Sequence, residues 1–168
     1  MIFKPNYLAD KITDVSAEFL KQNNINALIL DIDNTLVPPN QIYPSEQIVN
    51  WANDLMKKNI KLLIASNNSR VRVKLFAEKM NIPFIHRSAK PLPYKIKFVM
   101  KKLGINPKTT MLIGDQILTD VLAAKFLNVR MTLVEPITNA EGNMIKLKRK
   151  IEKPIKKRLK IILKNNRI

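Results

Sequence analysis

Between Asn26 and Val37 the chain reads N-A-L-I-L-D-I-D-N-T-L-V. Ala27, Leu28, Ile29 and Leu30 form a short unbroken apolar run, the pattern of a strand buried on both faces of a parallel sheet. The run stops at two carboxylates, Asp31 and Asp33, followed by Asn34 and Thr35. A buried strand that delivers two acids at its carboxyl end builds a negatively charged pocket at the sheet edge, where open α/β sheets bind ligands. Carboxylates so close repel, and repulsion raises a pKa unless positive charge lies between them. The plainer reading of the same residues is an Asx-turn that ends the strand.

Strands and helices alternate after this segment. Ser45 is placed to cap a helix over 46–58 with Ile48, Trp51 and Leu55 on one face, Trp51 serving the core. Ile60 to Ala65 is a second buried strand, and a helix over 69–80 carries Val71, Val73, Leu75, Phe76 and Met80. A short strand is predicted at 83–85, and a helix over 94–103 that ends at Gly104. Thr110 to Ile113 and Arg130 to Val134 are the last strands, with a helix over 118–127 between them. Upstream, Leu8, Ile12, Val15 and Phe19 at helical spacing predict one or two short helices, preceded by a packed arm of Phe3, Pro5 and Tyr7. The alternation predicts an α/β fold, a right-handed doubly wound parallel sheet.

Three of these strands end in polar groups. The second ends in Ser66 and Asn67, whose hydroxyl and backbone N–H groups suit phosphoryl oxygens ahead of a helix, although Ser66 and Ser69 also suit helix caps. Lys90, in A-K-P-L-P, is one of 30 Lys and Arg; its flanking prolines and its place between strands set it apart as a cation for an acid cluster. The fourth piece is G-D-Q-I-L-T-D: Asp115 directly after a buried strand suits a metal, and Asp120 falls in the first turn of a helix.

In this order the four pieces resemble the four motifs of the haloacid dehalogenase superfamily: D-x-D-x-T at 31–35, Ser66, Lys90 in K-P-x-P, and G-D-x-x-x-x-D at 114–120. Asn34 stands where many members have glycine, and asparagine tolerates left-handed turn geometry. The resemblance implies a three-layer, Rossmann-like fold. It implies Asp31 as the nucleophile that takes a phosphoryl group and Asp33 as general acid/base. Ser66, Asn67, Thr35 and Lys90 would hold the phosphoryl group, and Asp120 would orient Lys90. Mg²⁺ would sit on the Asp31 and Asp115 carboxylates and the Asp33 carbonyl. The second acid favours phosphomonoester hydrolysis over dehalogenation. The segments D-I-D-N-T-L-V, S-N-N, A-K-P-L and G-D-Q-x-x-T-D together are similar to the YqeG-type, subclass IIIA branch, which is similar to the mitochondrial phosphatidylglycerophosphate phosphatases. The resemblance spans roughly residues 5–135 and leaves the tail outside it. It implies phosphatidylglycerophosphate as substrate, with a phosphoprotein or nucleotide phosphatase and a non-catalytic scaffold binding RNA or a ribosomal particle as alternatives.

Only 30 residues separate Thr35 from Ser66 and 23 separate Ser66 from Lys90, each already filled by a helix and a strand, so no cap domain is expected. The chain has no cysteine, which excludes disulfides and thiolate metal sites and leaves oxygens and one histidine as ligands, a set suited to a hard cation. Neither a signal peptide nor a bilayer-length apolar run is evident, and a cytoplasmic location is expected. The formal charge of +17 is concentrated: residues 146–168 hold 11 Lys and Arg against the single acid Glu152. Domains are expected at 1–143, the phosphatase, and 144–168, a basic amphipathic tail. In that tail Leu147, Ile151, Ile155 and Leu159 recur four apart, and Pro154 predicts two short helices. Such a tail suits an anionic membrane surface, packing on its own domain, or nucleic acid; with no aromatic after Phe126, base stacking is unavailable. His86, just before the Lys90 loop, is expected to be structural or to touch substrate.

Overall fold

The structure, a computed structural model, describes residues 3–138 and 143–168. Among the described residues six strands form one sheet: β1 (Tyr7–Ala9), β2 (Ala27–Leu30), β3 (Lys61–Ala65), β4 (Phe84–Ile85), β5 (Thr110–Gly114) and β6 (Arg130–Val134). All pairs are parallel and the order is β1-β6-β5-β2-β3-β4, so β2 lies at the centre. Among the same residues, the α-helices that accompany it are α1 (Ala17–Gln22), α2 (Glu46–Lys57), α3 (Arg70–Met80), α4 (Tyr94–Lys102), α5 (Leu122–Leu127) and α6 (Asn143–Ile162). β2 is buried along its whole length, and its side chains alternate between two cores. Leu28 and Leu30 join Ile48, Leu55, Val73 and Phe76 of α2 and α3; Ala27 and Ile29 join Ile96, Met100, Ala124 and Leu127 of α4 and α5. This is the expected three-layer α/β fold.

The caps follow the sequence. Ser45 accepts from the Ile48 N–H, Ser69 from the Arg72 N–H, and Gly104, at φ 60°, ends α4. Trp51 packs against the first core and donates its indole N–H to the Val15 carbonyl at 3.0 Å. Three local expectations are corrected. Leu8 does not belong to a helix: Tyr7–Ala9 is an edge strand beside β6, followed by a 3-10 turn at Ile12–Asp14 and by α1. The short apolar run gains more from extending the ladder than from its helical spacing. Val71 and Leu75 of α3 face outward, and Val73, Phe76, Ala77 and Met80 carry the buried face.

The third correction concerns the tail. Pro154 does not divide it; α6 runs unbroken from Asn143 to Ile162 with the proline inside. A mid-helix proline costs about 3 kcal/mol, and burial offsets it here: Leu159 and Leu163 are buried in the second core, with Ile155 packed against it. Leu147 and Ile151, in the amino half, stay exposed. Arg167 pairs with Asp10, and the Ile168 N–H donates to the Leu8 carbonyl at 2.9 Å, along the free edge of β1.

Candidate active site

The carboxyl end of β2 is held on both sides. The Asp31 N–H donates to the Ile113 carbonyl of β5 at 3.0 Å, and the Asp31 side chain emerges into a group of buried charges. Lys90 Nζ donates to Asp31 Oδ1 at 2.7 Å and lies 2.8 Å from Asp120 Oδ1, an ion-pair contact off the hydrogen-bond direction. Asp31 and Lys90 are 7% and 6% exposed, Asp115 and Asp120 0%, so solvent does not screen these charges. Burial, and then the Asp120 and Asp115 carboxylates, push the Asp31 carboxyl up to about 8, against the pull of Lys90. Burial works against charge on Lys90 as well, yet Asp120 and Asp31 outweigh it and hold its pKa above the usual lysine value. Lys90 therefore stays an ammonium.

Asp120 reaches this position through a π-helical turn, Ile117–Val121, in place of the regular helix start expected from sequence. The wider turn swings the carboxylate back over the end of β5, where the Gln116 N–H donates to its Oδ2 at 3.1 Å. Gly114 makes room: a Cβ there would stand 2.4 Å from Asp120 Cγ.

Asp33 occupies different surroundings. Its side chain is 20% exposed, Arg72 of α3 pairs with Oδ1 at 3.1 Å, and Asn68 donates to Oδ2 at 3.0 Å. Asn34 behind it is in the left-handed region at φ 63°, as its place in the motif requires, and accepts from the Thr138 N–H at 3.0 Å.

An open cleft of about 340 Å³ joins the two halves, lined by Asp31, Asp33, Ser66, Lys90, Gln116 and Lys148 among others. Ser66 is buried at its wall, its hydroxyl accepting from the Asn68 N–H at 3.1 Å. Two residues expected on the phosphoryl group spend their side chains elsewhere. The Asn67 amide donates to the Lys90 carbonyl and accepts from the Lys90 N–H, both at 2.9 Å, so it fastens the lysine loop. The Thr35 hydroxyl donates to Asp115 Oδ1 at 3.4 Å. His86 lies outside the cleft, in a groove with Phe84, Tyr94 and Phe98.

The profile of the haloacid dehalogenase-like hydrolases matches residues 7–134. The chain belongs to that family. It is 32% identical over 158 residues to the probable phosphatase YqeG of Bacillus subtilis, covering 94% of this chain and 92% of that protein. It is 29% identical over 141 residues to the mitochondrial phosphatidylglycerophosphatase GEP4 of Saccharomyces cerevisiae, covering 74% and 73%. The cobalt-bound deoxy-D-mannose-octulosonate 8-phosphate phosphatase of Haemophilus influenzae superposes with a TM-score of 0.56 at 17% identity, over 79% of this chain and 90% of that one; it speaks to the fold. The chain is thus a phosphatase of the YqeG-type branch, without a cap domain: between Thr35 and Lys90 it holds α2, β3, α3 and β4 alone. The YqeG match covers too much of the chain for the C-terminal helix to lie outside it, which corrects the expected limit near residue 135.

The donor set fits a divalent cation. Among the described residues, Asp31, Asp115 and Asp120 bring carboxylate oxygens within 4.8 Å of one another, all buried; with Asp120 engaged by Lys90 and the Gln116 N–H, Asp31 and Asp115 are the hard ligands for an ion. Burial first, and the Asp120 and Asp115 carboxylates after it, raise the Asp31 pKa, so positive charge placed there would favour the carboxylate. The Asp33 carboxylate, held by Arg72 and Asn68, leaves only its carbonyl for such an ion.

Sequence reasoning missed the residues that hold the catalytic candidates in place. Arg72 had a signal: α3 carries cations and no acid in its first turn, against the helix dipole, which points to an acidic partner. Glu152 had one too, as the lone acid among 11 cations. It is 0% exposed and accepts from the Leu118 N–H at 2.8 Å, while Lys156 Nζ donates to the Asp115 carbonyl at 3.0 Å. Through these contacts α6 grips the turn that bears Asp115 and Asp120.

Proposed function

We propose that this phosphatase is Mg²⁺-dependent, works through an aspartyl-phosphate at Asp31, and hydrolyses phosphatidylglycerophosphate at the cytoplasmic face of a membrane. The observation that carries the reaction is the division of labour between two acids two residues apart. Asp31 is sealed against Lys90, and Asp33 is partly open to solvent on a fixed mount. Asp31 attacks phosphorus as the ester P–O bond breaks, and Asp33 gives its proton to the departing alkoxide. Asp33 then takes a proton from water as that water attacks the phosphorus of the aspartyl-phosphate, releasing phosphate and free Asp31. Lys90, the Ser66 hydroxyl and the Asn67 backbone N–H hold the phosphoryl oxygens, and Asp120 keeps the lysine in line. A divalent cation on the Asp31 and Asp115 carboxylates and the Asp33 carbonyl would supply positive charge against the phosphoryl group.

The lipid substrate rests on the similarity to the yeast phosphatidylglycerophosphatase and on the open cleft, which admits a head group without a lid. The test is phosphate release with Mg²⁺ from phosphatidylglycerophosphate in mixed micelles and from soluble phosphomonoesters, for wild type and Asp31→Asn. Turnover of the lipid that vanishes in the variant supports the reading. Turnover of nucleotides or phosphopeptides alone keeps the chemistry and discards the lipid. RNA co-purification without phosphatase activity discards both.

A further inference from the structure

Several exposed apolar side chains of this protein stand next in sequence, or through a hydrogen bond, to residues that line or brace the cleft. In a parallel sheet, connections that leave the strands at their carboxyl ends surround the site. Four of them carry exposed apolar residues, each tied to a residue that lines or braces the cleft. Val71 is 70% exposed and sits beside Arg72, the residue that holds Asp33. Ile42, 48% exposed, gives its carbonyl to Arg72 Nη1 at 2.7 Å. Leu92 and Tyr94, 52% and 75% exposed, follow Lys90 by two and four residues, and the Leu92 N–H is held by the Ala89 carbonyl at 2.8 Å. Leu147 and Ile151, 58% and 54% exposed, flank Lys148, which lines the cleft itself. These six side chains lie on the β2–α2 loop, the start of α3, the β4–α4 connection and the amino half of α6, elements that follow the carboxyl ends of β2, β3, β4 and β6.

Scattered exposed apolar residues are ordinary; a set placed on the sheet edge that holds a polar cleft marks a surface for a partner. Two features identify the partner. The cleft between the pairs takes a phosphoryl group, so whatever touches the rim presents phosphate at its centre and apolar material around it. The surroundings are cationic: α6 exposes Lys150, Lys153 and Lys157, and two acids on the same edge, Asp10 and Glu135, are paired with Arg167 and Lys160. A bilayer containing anionic phospholipid has that combination of an apolar phase, negative charge and phosphate. Among the described residues no helix is long and apolar enough to cross a membrane, so the contact is with one face of it.

We propose that this apolar rim is a docking surface that seats the cleft face-on against an anionic bilayer, with Ile42, Val71, Leu92, Tyr94, Leu147 and Ile151 entering the interface. The inference rests on the lipid-substrate reading and adds to it the orientation of the enzyme. Basic residues of α6 draw the protein to the surface, and the rim fixes which face meets it.

The experiment is co-sedimentation with vesicles of phosphatidylcholine and phosphatidylglycerol, for wild type, Leu92→Ser/Tyr94→Ser and Leu147→Ser/Ile151→Ser, alongside turnover of soluble p-nitrophenyl phosphate and of vesicle-borne phosphatidylglycerophosphate. Withdrawing two interfacial side chains is expected to reduce vesicle partitioning and vesicle-substrate turnover about tenfold to a hundredfold per pair. Turnover of the soluble ester should not change, which shows that the variants fold. Variants that bind vesicles like wild type overturn the docking surface, as does binding abolished by salt in all three proteins alike. A concentration-dependent dimer lost in the same variants, seen by light scattering, assigns the rim to a second copy and also overturns it. If wild type turns over the lipid in micelles and the variants match it on vesicles, the docking surface falls and the lipid reading stands. If wild type never acts on the lipid, the reading itself falls.

Discussion

Asp31 and Asp33 leave the same strand two residues apart and come to rest in opposite halves of the cleft. On the β5 side, Asp31, Lys90, Asp115 and Asp120 form a sealed cluster in which each charge is felt at nearly full strength. On the β3 side, Asp33 sits with Asn68 and the head of Arg72 at the edge of solvent, where the same ion-pair geometry is worth far less. The difference matches what each half must do. A nucleophile works best where water cannot compete with it and its field is fixed. An acid/base that serves first an alcohol and then a water must remain within reach of solvent.

Predictions that would break this division begin with the sealed half. Asp31→Asn should lower phosphate release by at least about 10⁴-fold, since a lost nucleophile is not replaced by its neighbours, and acid quenching should trap no phosphoenzyme. Asp33→Asn should cost about 10²–10⁴-fold. With a leaving group as good as p-nitrophenol it should still form the aspartyl-phosphate, which then accumulates; equal loss of trapped phosphoenzyme in both variants would erase the distinction.

The third prediction concerns pH in metal-free protein. The folded pKa of Asp31 is raised from an ordinary value near 3.8 to about 8, so the folded chain binds more protons than the unfolded one between those values. The sign follows from linkage: the Asp31 contribution to stability falls as pH rises from about 4 to about 8. Asp31→Asn removes the titrating group and should gain on wild type across that window, by an amount of order a few kcal/mol in urea unfolding. The stabilisation of wild type by Mg²⁺ should grow over the same range, because cation and proton compete for one carboxylate. A pH-independent difference would contradict the sealed cluster.

Smaller effects sharpen the comparison. Gly114→Ala places a methyl group against Asp120 and should destabilise the fold by about 1–3 kcal/mol, with turnover falling as Asp120 leaves Lys90. Arg72→Ala should lower kcat about tenfold through loss of Asp33 alignment, with KM unchanged and Arg72→Lys restoring part of the rate. Because the side chain also donates to the Ile42 carbonyl and packs over Phe76, stability should fall by about 1–3 kcal/mol. A stability loss with kcat unchanged would mean that Arg72 serves the fold and not the alignment of Asp33.

The sequence made the sealed half easier to read than its supports. Asp31, Asp115 and Lys90 stand at ends of strands or beside prolines, where a local pattern announces them. The strands themselves are apolar runs that cannot be satisfied except inside a sheet. Arg72, Glu152 and the bracing role of Asn67 depend on partners 23 to 39 residues away, a distance over which a pattern in the chain carries no information about contact. Leu8 and Pro154 differ from expectation for a related reason: local propensity favours a helix at one and a break at the other, and tertiary packing overrides both.

Helix α6 has one more implication. Its carboxyl half is clamped in the core at Leu159 and its amino half borders the cleft at Lys148, eleven residues away, about 16 Å at 1.5 Å per residue. Glu152 and Lys156 lock the middle of that span to the turn bearing Asp115 and Asp120, with no loop between to give way. The helix therefore acts as a height gauge. Whatever rests on its outer face stands at a fixed distance from Asp31, so a phosphate must project from its support by the right length to reach the nucleophile, whatever its chemistry.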